Sequence, residues 1–123
     1  TDERPIKAER ERLQISTEIT LPEDLSLEQA GGHLPHLAED LWRQIERKNV
    51  EAKGVTLKLK THDFRIITRS LTYSSVLPDI DALLCAAQTL IQRVPPQRED
   101  AFRLIGIGVN HLVPKDQQQS LWL

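Results

Sequence analysis

The sequence predicts an α+β domain in which a four-stranded antiparallel sheet carries two helices on one face, in the order strand, helix, strand, strand, helix, strand. Three observations support this prediction. Four segments alternate apolar and polar side chains with the two-residue period of a half-buried strand. Two segments repeat apolar residues at the three- and four-residue spacing of an amphipathic helix. Each helix has a single apolar stripe, so both would cover one sheet face and leave the other to solvent or a ligand.

The first strand and the longer helix occupy the first half of the chain. Alternation and β-branched residues predict a strand over 13–21, and the pattern changes after Pro22. Apolar residues at helical spacing then predict a helix over 33–49, with Pro35 in the first turn, where proline is tolerated. This apolar stripe includes Trp42, so we expect that residue in the core. The residues expected on the buried face of the first strand are Leu13, Ile15, Ile19 and Leu21.

A hairpin, a helix and a last strand fill the second half. Gly54 opens a second alternating stretch, and a turn at 61–63 leads into a third strand over 64–73. The second helix follows Pro78 and ends at two consecutive prolines. The last strand is predicted over 102–112, where Ile and Val alternate with Gly and Asn.

The bulk properties favour one domain cut from a longer cytoplasmic protein. The 123 residues lack Met altogether, and the charged residues at 1–12 are predicted to be a linker from an upstream domain. With a net charge of −2, the overall charge of the chain does not indicate that it binds a nucleic acid or a membrane. Cys85 cannot form an internal disulfide, and its place near the stripe of the second helix predicts a small core residue. No apolar run is long enough to span a bilayer. We expect the fragment to be a monomer.

The charges, however, are sorted by layer. The span 54–73 has four basic residues and one acid, whereas 21–49 has six acids and three basic residues. Lysine and arginine on the helix-free face would attract a nucleic-acid backbone, and glycines there would let strand amides approach phosphate oxygens. Cations on an exposed strand are also common on surfaces that only maintain solubility, so charge alone leaves both interpretations open. The residues predicted to share this face and bind DNA are Lys58, Lys60, Arg65, Arg69, Arg103, Gly106 and Gly108.

The chain ends in a polar tail, predicted over 114–123, that carries a Q-x-x-L-x-L pattern at its end. A glutamine followed by spaced apolar side chains is typical of a short peptide that docks into a partner's pocket. The alternative is that Trp122 folds back on its own domain and covers an edge. The residues predicted to bind a partner are Gln118, Leu121, Trp122 and Leu123.

Four segments resemble the little-finger (C-terminal) domain of bacterial Y-family translesion DNA polymerases: VTLKLK, DFRIITRSLTY, RLIGIGV and LVPKDQQQSLWL. They occur in the family's order, with two helices interleaved, and the resemblance covers the chain from about Leu13 onward. It implies that the sheet lies across the primer–template DNA duplex and that the terminal peptide docks on the β sliding clamp. The basic residues that it matches to backbone-contacting positions are Lys58, Lys60, Arg69 and Arg103.

The resemblance also indicates what this chain lacks. The family keeps the carboxylates that bind Mg²⁺ for nucleotidyl transfer in another domain. We therefore expect a parent DNA-directed DNA polymerase with Mg²⁺ in its catalytic core, and a fragment with no cofactor and no activity alone. Leu71 and Leu104 stand where relatives often have Arg, and Gly108 can be basic in relatives, so the grip on DNA is expected to be weaker than usual.

Two other classes of protein fit the sequence less well. An RNA-binding module has a similar order of strands and helices, but such modules stack bases on aromatic residues of the central strands, and aromatics are few in this chain. A small α+β enzyme would need a nucleophile with its base or a metal set. His33 and His36 are one helical turn apart but have no further ligand nearby, which favours surface residues.

Overall fold

The computed structural model describes residues 14–95 and 101–115. The predicted linker, Leu13 and the terminal peptide therefore lie outside the described residues. The α+β class and the predicted order of strands and longer helices are confirmed, and one short helix is added. The elements are β1 (Ile15–Leu25), α1 (Leu27–Gly31), α2 (Leu34–Arg47), β2 (Val50–Thr61), β3 (Ile66–Thr72), α3 (Ile80–Gln92) and β4 (Phe102–Pro114).

The four strands form one antiparallel sheet, as predicted, and their spatial order is β1-β4-β2-β3. The two central strands, β2 and β4, supply the middle of the core. Val55, Leu57 and Leu59 of β2 are buried, and each faces an apolar partner on β4. Directly paired residues share a sheet face, so these partners line the helix-covered side. They are Val109, Ile107 and Ile105, respectively.

Both long helices pack on this face. Leu41 of α2 and Leu83 and Leu90 of α3 are fully buried in the same core as the strands. Phe102, at the start of β4, is also fully buried. Among the described residues, no helix is long and apolar enough to cross a membrane.

Two expectations about the helices are wrong. Trp42 is only half-buried at the edge of the core, because successive helical residues are rotated by about 100° and its neighbour Leu41 points at the sheet. Cys85 is exposed rather than buried. The buried stripe of α3 passes through Leu83, Ala86, Ala87 and Leu90, which leaves position 85 on the solvent side.

Helix α1 was not predicted, although its sequence carries a start signal. The Ser26 side chain accepts a hydrogen bond from the Gln29 amide, and the Gln29 side chain accepts one from the Ser26 amide. This reciprocal capping box satisfies two amides that a helix start leaves unpaired. Strand β2 also begins four residues before Gly54, because β4 continues to Pro114 and pairs with Val50.

Candidate nucleic-acid interface

The face of the sheet opposite the helices, called the open face below, is formed by alternate residues of all four strands. Lys58 lies on the open face, because it alternates along β2 with the buried residues Leu57 and Leu59. It pairs with Gly106 of β4 on one side and with Thr68 of β3 on the other. The side chains of directly paired residues point to the same face. By this register the open face contains Ser16, Glu18, Thr20, Gly54, Thr56, Lys58, Lys60, Ile66, Thr68, Ser70, Thr72, Leu104, Gly106, Gly108 and Asn110.

A trough of about 340 Å³ runs over the middle of the open face. Its floor is the backbone at Gly106 and Gly108, where side chains are missing. The Thr56 hydroxyl and the Asn110 amide line its walls, with the amide nitrogen 3.4 Å from the hydroxyl, and the Ser70 hydroxyl lies beside the trough, 2.9 Å from that of Thr56. The trough is therefore polar, and none of these three residues was predicted as a site residue from the sequence.

The two glycines have a different role from the one predicted. Strand β4 is central and pairs on both sides, so its amides point in the sheet plane toward β1 and β2 rather than out of the open face. The requirement for glycine comes from β1. A Cβ at position 106 would lie 2.6 Å from the Cβ of Glu18, and one at position 108 would lie 3.0 Å from the Cβ of Ser16. Glycine at these positions permits close approach of β1 side chains and leaves the trough open.

Two cations lie at the hairpin end of the sheet: Lys60 belongs to the open face by register, and Arg103 lies at the register shift between β2 and β4, where it reaches the same aromatic ring as Lys60. The Phe64 ring is 66% exposed; the Arg103 Cζ lies 4.9 Å and the Lys60 Nζ 5.8 Å from its centroid. Such geometry permits cation–π attraction. Within residues 14–95 and 101–115, no carboxylate forms an ion pair with Lys60 or Arg103. This end of the sheet therefore presents two cations that are available to an anion.

Arg65 lies in the turn between β2 and β3, not in a strand as predicted. Its Nε is 3.2 Å from a carboxylate oxygen of Asp63. A hydrogen bond from the Thr61 hydroxyl, with a further contribution from Arg65, holds the pKa of the exposed Asp63 carboxyl below its ordinary value. The Asp63 carboxylate therefore stays ionised and partly neutralises Arg65.

The placement of Arg69 on the open face is wrong. Arg69 pairs with Leu57, whose side chain is buried under the helices, so Arg69 belongs to the helix-covered side of the edge strand. Its guanidinium donates a hydrogen bond to the Thr68 carbonyl oxygen at 2.7 Å. Leu71 lies on the same side, packed against the core. Of the two leucines that were expected to weaken DNA binding, only Leu104 occupies the open face, and it is 7% exposed.

The central strands carry no aromatic side chain on the open face, because their alternate residues there are Leu, Gly, Asn, Thr and Lys. The base-stacking platform expected of the alternative RNA-binding module is therefore missing from the described strands. Among the described residues there is also no group of three or more His, Cys, Asp or Glu that could hold a metal ion.

This fold is found in the DNA polymerases of the Y family. The insertion ternary complex of Dbh DNA polymerase superposes with a TM-score of 0.69 at 15% identity, over 82% of this chain and 29% of that one. The complex of the β-clamp processivity factor with the little-finger domain of PolIV gives a TM-score of 0.63 at 21% identity, over 82% of this chain and 90% of that one. At these identities the likeness establishes the fold.

Sequence comparison establishes the family. Residues 12–121 match the impB/mucB/samB family C-terminal domain, and the chain belongs to this family. A DNA polymerase IV of Neisseria meningitidis serogroup C is 86% identical over 99% of this chain and 35% of its own length. A DNA polymerase IV of Xanthomonas campestris pv. campestris is 38% identical over 98% of this chain and 33% of its own length. The chain thus spans about a third of these relatives, and the resemblance to the little-finger domain is confirmed.

Proposed function

We propose that this chain is the DNA-gripping little-finger domain of a DNA polymerase IV and that its open face binds the backbone of the primer–template duplex. The observation that carries the proposal is the pair of cations without carboxylate partners, Lys60 and Arg103, at one end of a helix-free sheet face in the described part of the chain. Lysine and arginine attract phosphates without regard to sequence, which suits a domain that must hold any template.

The rest of the open face supports backbone contacts of a mostly neutral kind. Hydroxyl and amide groups, such as those of Thr56, Ser70 and Asn110, are common donors to phosphate oxygens. Lys58 is a third cation on this face, and it forms an ion pair with Glu18. Arg65 and Arg69 contribute from the turn and from the outer edge, and both are already engaged by protein oxygens. We therefore infer a weak grip with little sequence preference.

Replacing Lys60 and Arg103 together with alanine is expected to weaken duplex binding by about 30-fold, because each exposed charged contact contributes on the order of 1 kcal/mol. Fluorescence anisotropy with a labelled primer–template duplex measures this loss. Joint replacement of Arg47 and Lys48 with alanine is the matched control, since it also removes two exposed cations, from the end of α2 in the helix layer. Equal losses in the double variant and the control would mean that net charge, not the open face, governs binding.

We further infer that catalysis belongs to the remainder of the parent protein. The relatives are named DNA polymerase IV, and two thirds of their length lies outside the part that this chain matches. The described residues hold no cluster of acidic or other ligands fit for a metal ion. Nucleotidyl transfer requires carboxylates that bind Mg²⁺, so we assign both to the parent's other domains.

We also propose that the C-terminal peptide, with Gln118, Leu121, Trp122 and Leu123, tethers the domain to the β sliding clamp. These residues lie outside the described part of the chain. A solved complex of a similar fold contains a β-clamp and a little-finger domain, which supports this choice of partner. Strand β4 begins at the cationic end and reaches Pro114 after 13 residues, on the order of 40 Å away. In the chain, the peptide therefore follows the end of β4 that is farther from Arg103.

A further inference from the structure

An ion pair crosses the middle of the open face. Glu18 on β1 and Lys58 on β2 both pair with Gly106 on β4, which lies between them. Because Gly106 has no side chain, the two charged side chains meet above it, with the Lys58 Nζ 3.5 Å from a Glu18 carboxylate oxygen. The side chains remain 40% and 51% exposed, so an incoming ligand can reach both.

We infer that the Glu18 carboxylate occupies, on Lys58, the place of a DNA phosphate, so that the duplex engages Lys58 only by displacing Glu18. This inference rests on the proposed function. A carboxylate and a phosphate both offer anionic oxygens to an ammonium group, so they compete for the same donors. The lysine ammonium is a compact charge on a flexible stem, and it can turn from one acceptor to the other without rearranging the sheet.

The surroundings of the pair favour such an exchange. Glu18 and Lys58 border the trough, together with hydroxyl and amide groups that could donate to a phosphate in the place of Glu18. Exposed ion pairs contribute little to stability, so the pair is easily broken. A carboxylate on the trough wall also repels a polyanion as it approaches.

The cations of this surface therefore fall into two groups, according to whether a carboxylate is paired with them. Lys60 and Arg103 have no carboxylate partner among the described residues and can bind DNA phosphates directly. Lys58 can bind a phosphate only after Glu18 has moved away. Glu18 would thus act as a built-in brake on DNA affinity. The brake depends on Gly106, since a Cβ there would lie 2.6 Å from the Glu18 Cβ.

The test is Glu18→Gln in the full 123-residue chain, with duplex affinity measured by anisotropy between about 50 and 200 mM salt. We expect about threefold tighter binding at the lower salt, the range of an exposed ion pair, and a log–log salt slope steeper by about 0.9, the value of one further phosphate contact. Glu39→Gln is the matched control, because it removes one acid from an exposed position on α2. Thermal unfolding shows whether each variant is folded.

The same substitution in a Lys58→Ala chain shows whether Glu18 acts on DNA affinity through Lys58. If Glu18 acts through Lys58, the gain from Glu18→Gln in a Lys58→Ala chain falls to that of the Glu39→Gln control. An undiminished gain in that background, or no gain in a wild-type background that binds DNA, overturns the inference and leaves the proposed function standing. Absence of duplex binding by every variant at low salt overturns the proposed function, and the inference with it.

Discussion

Deletion of residues 118–123 is expected to abolish binding of this chain to the β sliding clamp, a loss of at least about 100-fold. The deleted peptide contains Leu121 and Leu123, and burial of each leucine in a partner's pocket contributes about 1.5–3 kcal/mol. Loss of two such contacts removes about 3 kcal/mol or more, which corresponds to the stated factor. Surface plasmon resonance with immobilised clamp measures the effect.

Two neighbouring glutamines provide the matched control. We propose that Gln118 fixes the register of the peptide in the Q-x-x-L-x-L pattern, whereas Gln117 lies just outside the pattern. Gln118→Ala is therefore expected to weaken clamp binding and Gln117→Ala to leave it unchanged. Clamp binding by the truncated chain at the strength of the intact one would contradict the proposed tether.

Thermal unfolding of the truncated chain decides between the tether and the alternative sequence interpretation. If Trp122 instead covers an edge of its own domain, the deletion lowers the unfolding midpoint, because buried apolar area is lost. A free peptide leaves that midpoint unchanged. We expect the second result.

The largest effect on stability is expected from Leu41→Ala, at about 2–5 kcal/mol of unfolding free energy. Leu41 is 0% exposed and belongs to the stripe by which α2 contacts the sheet. Alanine would remove its transfer free energy and leave a cavity between two layers that cannot fully collapse. Urea unfolding followed by circular dichroism measures the change.

Trp42→Ala is the matched comparison, because Trp42 is the next residue of α2 and is only half-buried. Although tryptophan is the larger side chain, Trp42 is partly exposed at the edge of the core, so its removal leaves a space that is open to water rather than a closed cavity. We expect its cost to be smaller than that of Leu41→Ala. A larger cost for Trp42 would mean that α2 is rotated about its axis, with Trp42 rather than Leu41 facing the sheet.

The sequence predicted the central strands well and the edge strand poorly, for a physical reason. In β2 the buried residues Val55, Leu57 and Leu59 alternate strictly with polar ones, so the facing of Lys58 and Lys60 was determined. In β3 apolar residues occur on both faces, and pairing register depends on the turn that precedes it. The turn extends to Arg65, so the strand begins later than predicted. In the register that results, Arg69 pairs with the buried Leu57 and lies on the helix-covered side rather than on the open face.

The ion pair over Gly106 could not be predicted from local pattern. Glu18 and Lys58 are 40 residues apart in the chain, and they meet only because β4 inserts between β1 and β2. Glycine in a strand indicated a close approach, which the structure confirms, but not whether the approaching group was a ligand or β1 itself. In contrast, the capping box that starts α1 was legible in the sequence as Ser26 followed three residues later by Gln29.

Duplex binding by the open face through its cations is the property on which the proposed function depends. It is tested most directly by the salt dependence of duplex affinity for the unmodified chain. Lys60 and Arg103, with Lys58 as a third when Glu18 yields, predict a log–log slope of about −2 to −3, from about 0.9 for each neutralised phosphate. An affinity that does not change between about 50 and 200 mM salt would contradict this proposal.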